Sequence, residues 1–203
     1  MDAVARWERM WRELGSSAPD GLLAQLRQAY REPQRHYHTL QHLDECLLLA
    51  DALRPEMQRP AELELALWFH DAVYDVHAHD NEARSARWAA TVMLDAGLDA
   101  DAATRVTELI MATCHAAPAS SPDAAILTDI DLAILGADPP RFAEYEHQIR
   151  AEYAHVAPAV FAAKRRAILQ GFLDRPQIYA TDTMRARLEA PARRNLAQAI
   201  VSG

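Results

Sequence analysis

Residues 61–69 are mostly Ala, Leu, Trp and Phe, and the doublet His70-Asp71 comes directly after them. An apolar run of that kind is driven into a core. An imidazole and a carboxylate carried in at its end cost several kcal/mol unless something pairs with them. A divalent cation is the partner that suits both groups at once, because neutral imidazole and ionised carboxylate both ligate it. Helical neighbours sit about 100° apart, so His70 and Asp71 reach a common point only where the flanking space is open. The rest of the chain therefore has to supply the remaining ligands.

At 203 residues the chain is expected to form one domain, 1–203, with a metal-site core over about 35–136 and C-terminal helices over 138–201 packing on it. Half of the residues are hydrophobic, aromatics are few and only 6 glycines occur, which favours helices over a sheet. The net charge of −8, with Lys164 the single lysine, argues against a nucleic-acid polymer or an anionic membrane as partner. Cys46 and Cys114 are expected as reduced core thiols. Residues 1–12 are charged and carry no apolar leader core, and no run approaches the ~18 apolar residues of a membrane span. These features together predict a soluble, cytoplasmic protein.

Hydrophobic spacing and breakers predict helices over 4–14, 22–30, 37–53, 60–74, 82–94, 99 or 101 to 115, 123–136, 142–155 and 159–173, with a last one ending near 201. Alternating β patterns and internal repeats are absent. The expected class is all-α, an irregular bundle of about ten helices.

Three of these helices carry candidate ligands. Laid out at about 100° per residue, His42 falls on the edge of the apolar arc formed by Cys46, Leu49 and Leu53, and His38 lies further toward the polar side. His42 is thus the expected buried ligand and His38 a group at the mouth of the site. In the seventh helix Asp131 lies about 60° from the centre of the apolar arc and Asp129 about 140° away. Asp131 is the expected ligand, and Asp129 is expected to be solvated or to stand behind the ligands. Two histidines and two carboxylates suit Mn²⁺, Fe²⁺, Co²⁺ or Zn²⁺ and can accept Mg²⁺ or Ni²⁺.

The order His … His-Asp … Asp on a helical chain resembles the HD superfamily of metal-dependent phosphohydrolases, over roughly residues 35–136. The ninth and tenth helices look like those of one bacterial branch of it. The resemblance implies His42, His70, Asp71 and Asp131 as metal ligands. Tyr37-His38-Thr39-Leu40-Gln41-His42 also resembles the cyclic-nucleotide phosphodiesterases, which implies that His38 protonates the leaving oxygen. His70-Asp71-Ala72-Val73-Tyr74-Asp75 is similar to the guanosine tetraphosphate hydrolases, with Tyr74 in place of their Glu and Asp75 matching. The His-Gly-Tyr-Pro elements of the cyclic di-GMP hydrolases are missing. The implied function is hydrolysis of a small phosphorylated metabolite, a nucleotide foremost, with a homodimer left open.

Further candidates are Asp75, to orient or deprotonate the attacking water; Arg35, to clamp a phosphate; His115, as a phosphate donor or ligand; and Glu82, to reach the waters of the metal. Lys164-Arg165-Arg166 reads as a solvated face, and Trp7 and Trp11 as packing anchors. Two rival readings are a di-iron oxygenase of the same fold, with His77, His79 and His115 as spare ligands, and a catalytically silent nucleotide-binding module.

Overall fold

The computed structural model describes residues 3–202, of Ser202 the backbone alone. Met1 and Asp2, on which the expectation for the N-terminus partly rests, lie outside them, as does Gly203. Among the described residues ten α-helices occur in order: α1 (Ala3–Leu14), α2 (Leu22–Ala29), α3 (Leu40–Leu53), α4 (Pro60–Phe69), α5 (Asn81–Asp95), α6 (Ala100–Ala112), α7 (Pro122–Asp131), α8 (Pro139–Glu152), α9 (Pro158–Leu173) and α10 (Asp182–Ser202). Short 3₁₀ turns occupy Arg54–Glu56 and Leu132–Gly136. No strand occurs among the described residues, so the expected all-α class is the class adopted. No described helix is long and apolar enough to cross a membrane. The chain forms two compact units that divide between Leu127 and Thr128.

The first unit is built around α4. Every residue from Ala61 to Phe69 is buried, as expected of a helix that is apolar all round. Helices α1, α3, α5 and α6 pack against it. Trp7 meets both Trp11 and Trp68 edge to face, with centroids 5.8 and 5.2 Å apart, so the paired tryptophans are the anchors their spacing predicts. Two acids of α4 are buried with it and are paired, as burial of charge requires. Glu62 takes a bidentate pair from Arg105 at 2.7 and 2.8 Å, and Glu64 lies 2.6 Å from Arg9, 3.3 Å from Arg54 and 3.6 Å from Arg6. Pro60 starts the helix, and the carboxylate of Asp123 accepts the Gln58 and Arg59 amides, both at 2.8 Å, ahead of its first turn. Asp123 is the expected cap of the seventh helix, but that helix begins one residue earlier, at Pro122, and Ser121 Oγ accepts from Ala124 N at its start.

Two boundaries near the doublet differ from expectation. The third helix starts at Leu40 rather than Tyr37, because Thr39 takes an extended backbone and its hydroxyl accepts the Gln41 amide. His38 therefore precedes the helix and does not share a helical face with His42. The fourth helix ends at Phe69 rather than Tyr74, so His70 is its C-terminal cap and Asp71 lies beyond it.

In the second unit, α10 packs against the turn Leu132–Gly136 and against α9. Buried Tyr179 donates to the Leu132 carbonyl at 3.1 Å, and Asn195 donates to the carbonyls of Leu135 and Ala137, both at 2.9 Å. Asp129 is 1 % exposed, so of the two placements expected for it the solvated one is excluded. It accepts the Ala180 and Thr181 amides and the Thr181 hydroxyl, all at 2.7 Å, and so caps α10. Burial pushes its carboxyl up, and these three donors pull it back only in part. The triplet 164–166 is not uniformly solvated either: Lys164 and Arg166 are exposed, whereas Arg165 pairs with Glu146 and lies over the Tyr145 ring.

Candidate metal centre

Where α4 ends, its last turn has carbonyls with no helical partner, and the structure supplies donors for the residues beyond it. Arg35 is buried. Its guanidinium donates to the carbonyls of Asp71 at 2.6 Å, Ala72 at 3.0 Å and His38 at 3.2 Å, and to Glu32 at 3.1 Å. Tyr30 donates its hydroxyl to the Trp68 carbonyl at 3.2 Å and accepts the Asp71 amide at 3.4 Å. Ser85 Oγ on α5 accepts the Val73 amide at 3.0 Å. The turn after the helix is thus strapped from three sides. Four of the five N–H donors of Arg35 go to backbone carbonyls and Glu32, so its first task is to hold this turn rather than the phosphate clamp expected of it.

This strapping aims three side-chain atoms at one another. His42 Nε2 and His70 Nε2 are 3.1 Å apart, and Asp71 Oδ2 is 3.0 Å from His70 Nε2 and 3.5 Å from His42 Nε2. Both histidines are buried, and Asp71 is 17 % exposed. His70 Nδ1 lies 2.7 Å from the Leu67 carbonyl. A carbonyl only accepts, so Nδ1 carries a hydrogen and Nε2 is the nitrogen turned to the centre, where the neutral ring offers a lone pair to a cation. Burial raises the Asp71 carboxyl, but the imidazoles of His70, His38 and His42 outweigh burial and hold it well below the carboxylate range. Asp71 is therefore an anion. Ligands about 2.1 Å from one cation and cis to each other stand about 3.0–3.4 Å apart. The observed triangle fits that spacing, and the donor set fits a borderline divalent ion.

A fourth donor belongs to the same cluster. Cys46, one turn after His42 on α3, is buried, with Sγ 3.7 and 3.8 Å from the two ring nitrogens of His42. One ligand atom from each of His42, Cys46 and His70 lies within 4.8 Å of the others, a grouping able to hold a metal ion. Sequence reasoning assigns Cys46 to core packing, although its spacing of four from His42 is the available signal. Cys114 is not a core thiol: it lies past the end of α6, exposed, and neither cysteine is in a disulfide.

Of the other candidates, His38, Asp75, Glu82 and His115 are more scattered. His38 is half-buried and stacks on Tyr74, with centroids 4.0 Å apart. Asp75 is exposed, and its Oδ1 accepts the His77 amide at 2.9 Å. It lines a cleft of about 1020 Å³, together with Tyr74, Arg84 and Trp88, that none of His42, Cys46, His70 and Asp71 lines. Glu82 lies beside the Cys114 thiol, which partial desolvation and the charge of this neighbour both raise. His115 comes after α6 with a left-handed backbone, φ 51°, and is partly exposed. Asp131 is the last residue of α7, in the second unit, and is also partly exposed. Tyr30 and Ser85, which hold the turn, carry no recognisable mark in the sequence. Comparison with protein families, with curated proteins and with solved structures finds no match.

Proposed function

We propose that this chain is a metal-dependent phosphohydrolase that cleaves a phosphoester of a small metabolite, a nucleotide foremost. The observation that carries the reading is the triangle of His42 Nε2, His70 Nε2 and Asp71 Oδ2, with sides of 3.0, 3.1 and 3.5 Å in a buried setting. The order His42 … His70-Asp71 … Asp131, which resembles that of the HD superfamily, supports it. A divalent cation, when bound, supplies polarisation of a phosphoryl oxygen and lowers the pKa of water from 15.7 toward about 7.

The chain's own residues divide the remaining work. His42, His70 and Asp71 hold the ion, and the hydrogen bond from His70 Nδ1 to Leu67 leaves Nε2 as the ligating nitrogen. His38, stacked on Tyr74 beside the triad, holds the proton that goes to the leaving oxygen. Asp75, which the sequence marks as acceptor for the proton of the attacking water, is exposed on a cleft that the ligating side chains do not line, which leaves solvent to take that proton. Arg35 acts at one remove, by fixing the carbonyls of Asp71 and Ala72.

The test is phosphate release from a panel of phosphorylated metabolites with Mn²⁺, Co²⁺, Mg²⁺, Ni²⁺ and Zn²⁺. His38→Ala is expected to keep metal and lose about 10²–10⁴ in turnover. His70→Ala and Asp71→Ala are expected to lose both metal and turnover. Metal-loaded protein that hydrolyses no member of the panel with any ion overturns the proposal, and loss of metal from His38→Ala overturns the role given to His38.

A further inference from the structure

We infer that Cys46 is a metal ligand in its own right and that its thiolate selects the ion, favouring Zn²⁺, Co²⁺ or Fe²⁺ over Mg²⁺ and Mn²⁺. The inference rests on the metal-centre reading and adds a donor that the likeness to phosphohydrolases does not assign. Its basis is position. Thr39 fixes the register at which α3 begins, and four residues separate His42 from Cys46, which brings both onto one face of the helix. Both side chains are buried, so the sulfur is turned toward the imidazoles and away from solvent.

The sulfur lies close to the group it would join. Zinc–sulfur and zinc–nitrogen bonds of about 2.3 and 2.1 Å at a tetrahedral ion place S and N about 3.6 Å apart. Cys46 Sγ lies 3.7 Å from His42 Nδ1 and 3.8 Å from Nε2, so it sits beside the ring and has to turn about its Cα–Cβ bond to reach an ion in front of Nε2; a ligand atom of His70 completes the group within 4.8 Å. On ligation the S–H proton leaves to solvent and the sulfur lone pair forms the bond to the ion. Soft thiolate discriminates strongly between these metals, whereas imidazole and carboxylate alone tolerate all of them.

Cobalt(II) titration of the full chain, monitored by visible absorption and by equilibrium dialysis, tests this. Wild type is expected to bind Co²⁺ with a near-ultraviolet sulfur-to-cobalt charge-transfer band. Cys46→Ser is expected to bind Co²⁺ without the band and to weaken Zn²⁺ at least about 10-fold while leaving Mn²⁺ little changed. Cys114→Ser is expected to keep the band. Bound cobalt without the band in wild type, or a band lost with Cys114→Ser and kept in Cys46→Ser, overturns this inference and leaves the phosphohydrolase reading standing. Failure of wild type to bind Co²⁺, Zn²⁺ or Mn²⁺ by dialysis overturns both. Should Cys46→Ser not fold, Cys46→Ala is measured in the same way, and a band surviving in it is equally fatal.

Discussion

Replacing Arg35 with Met should loosen the turn that presents the metal ligands. The side chain is fully buried and donates to the carbonyls of Asp71 at 2.6 Å, Ala72 at 3.0 Å and His38 at 3.2 Å, and to Glu32 at 3.1 Å. A hydrogen bond from a charged donor is worth about 1.5–3 kcal/mol, and such bonds within one network are not additive. The two to the Asp71 and Ala72 carbonyls dominate, and removing their donor from a buried network costs about 3–5 kcal/mol. At about 2–4 °C per kcal/mol for a chain of this size, the melting temperature should fall by about 10 °C. Met fills similar volume, so the loss reports polar contacts rather than a cavity. Thermal unfolding monitored by circular dichroism in chelator gives the shift, and Mn²⁺ titration should show affinity reduced about 10-fold as His70 and Asp71 lose their support. Arg35→Lys should recover only part of either, since an ammonium cannot span three carbonyls as the guanidinium fork does. A variant that melts within about 2 °C of wild type and binds metal equally, yet loses turnover, would refute the strut and restore the phosphate clamp.

Three other perturbations test the geometry. Gly136→Ala would put a Cβ 2.7 Å from Leu188 Cβ and 3.0 Å from both the Leu188 carbonyl and the Tyr179 hydroxyl, so overpacking should cost about 1–3 kcal/mol, read as a lower urea midpoint at unchanged slope; an unchanged midpoint contradicts this. Asp129→Ala strips the start of α10 of its acceptor and should cost about 2–3 kcal/mol in the same assay, with a change below about 0.5 kcal/mol counting against the cap. In chelator, Asp71 contributes stability with a definite sign: the carboxyl is held below its ordinary 3.8, so its contribution is present above that value and is lost as pH falls through and below it. Asp71→Asn should therefore lose stability less steeply on acidification, and parallel acid profiles would show that the imidazoles do not hold the anion.

The features legible ahead of the fold were those that depend on local pattern. Residues 61–69 announce a helix buried on all sides, Pro60 its start, and His70-Asp71 a pair of groups that cannot stay in a core unaccompanied. The buried position of His42 agrees with its place on the apolar arc of α3. Even Cys46 was within reach, since a spacing of four on a helix face is local information. The start of α3 was legible too: Thr39 before Leu40 is a capping signal, and it moves His38 off the helical wheel on which the apolar spacing puts it.

Tertiary structure decided the pairings made across long stretches of chain. An angle to an apolar arc ranks Asp131 above Asp129 for burial, but hydrogen-bond donors outweigh that angle. The backbone at Ala180 and Thr181, 51 and 52 positions away in sequence, supplies them to Asp129 and makes it a buried cap. Arg35 looks like a ligand for phosphate until the fold brings the carbonyls of Asp71 and Ala72 to it from 36 and 37 residues away. The doublet itself needed Tyr30, Arg35 and Ser85 to bend the chain after Phe69, and spacing or composition marks none of them for that task. A periodic pattern records which face of an element avoids water. Which donor meets which acceptor is a three-dimensional matter, and at this centre those meetings set the directions of the ligating atoms.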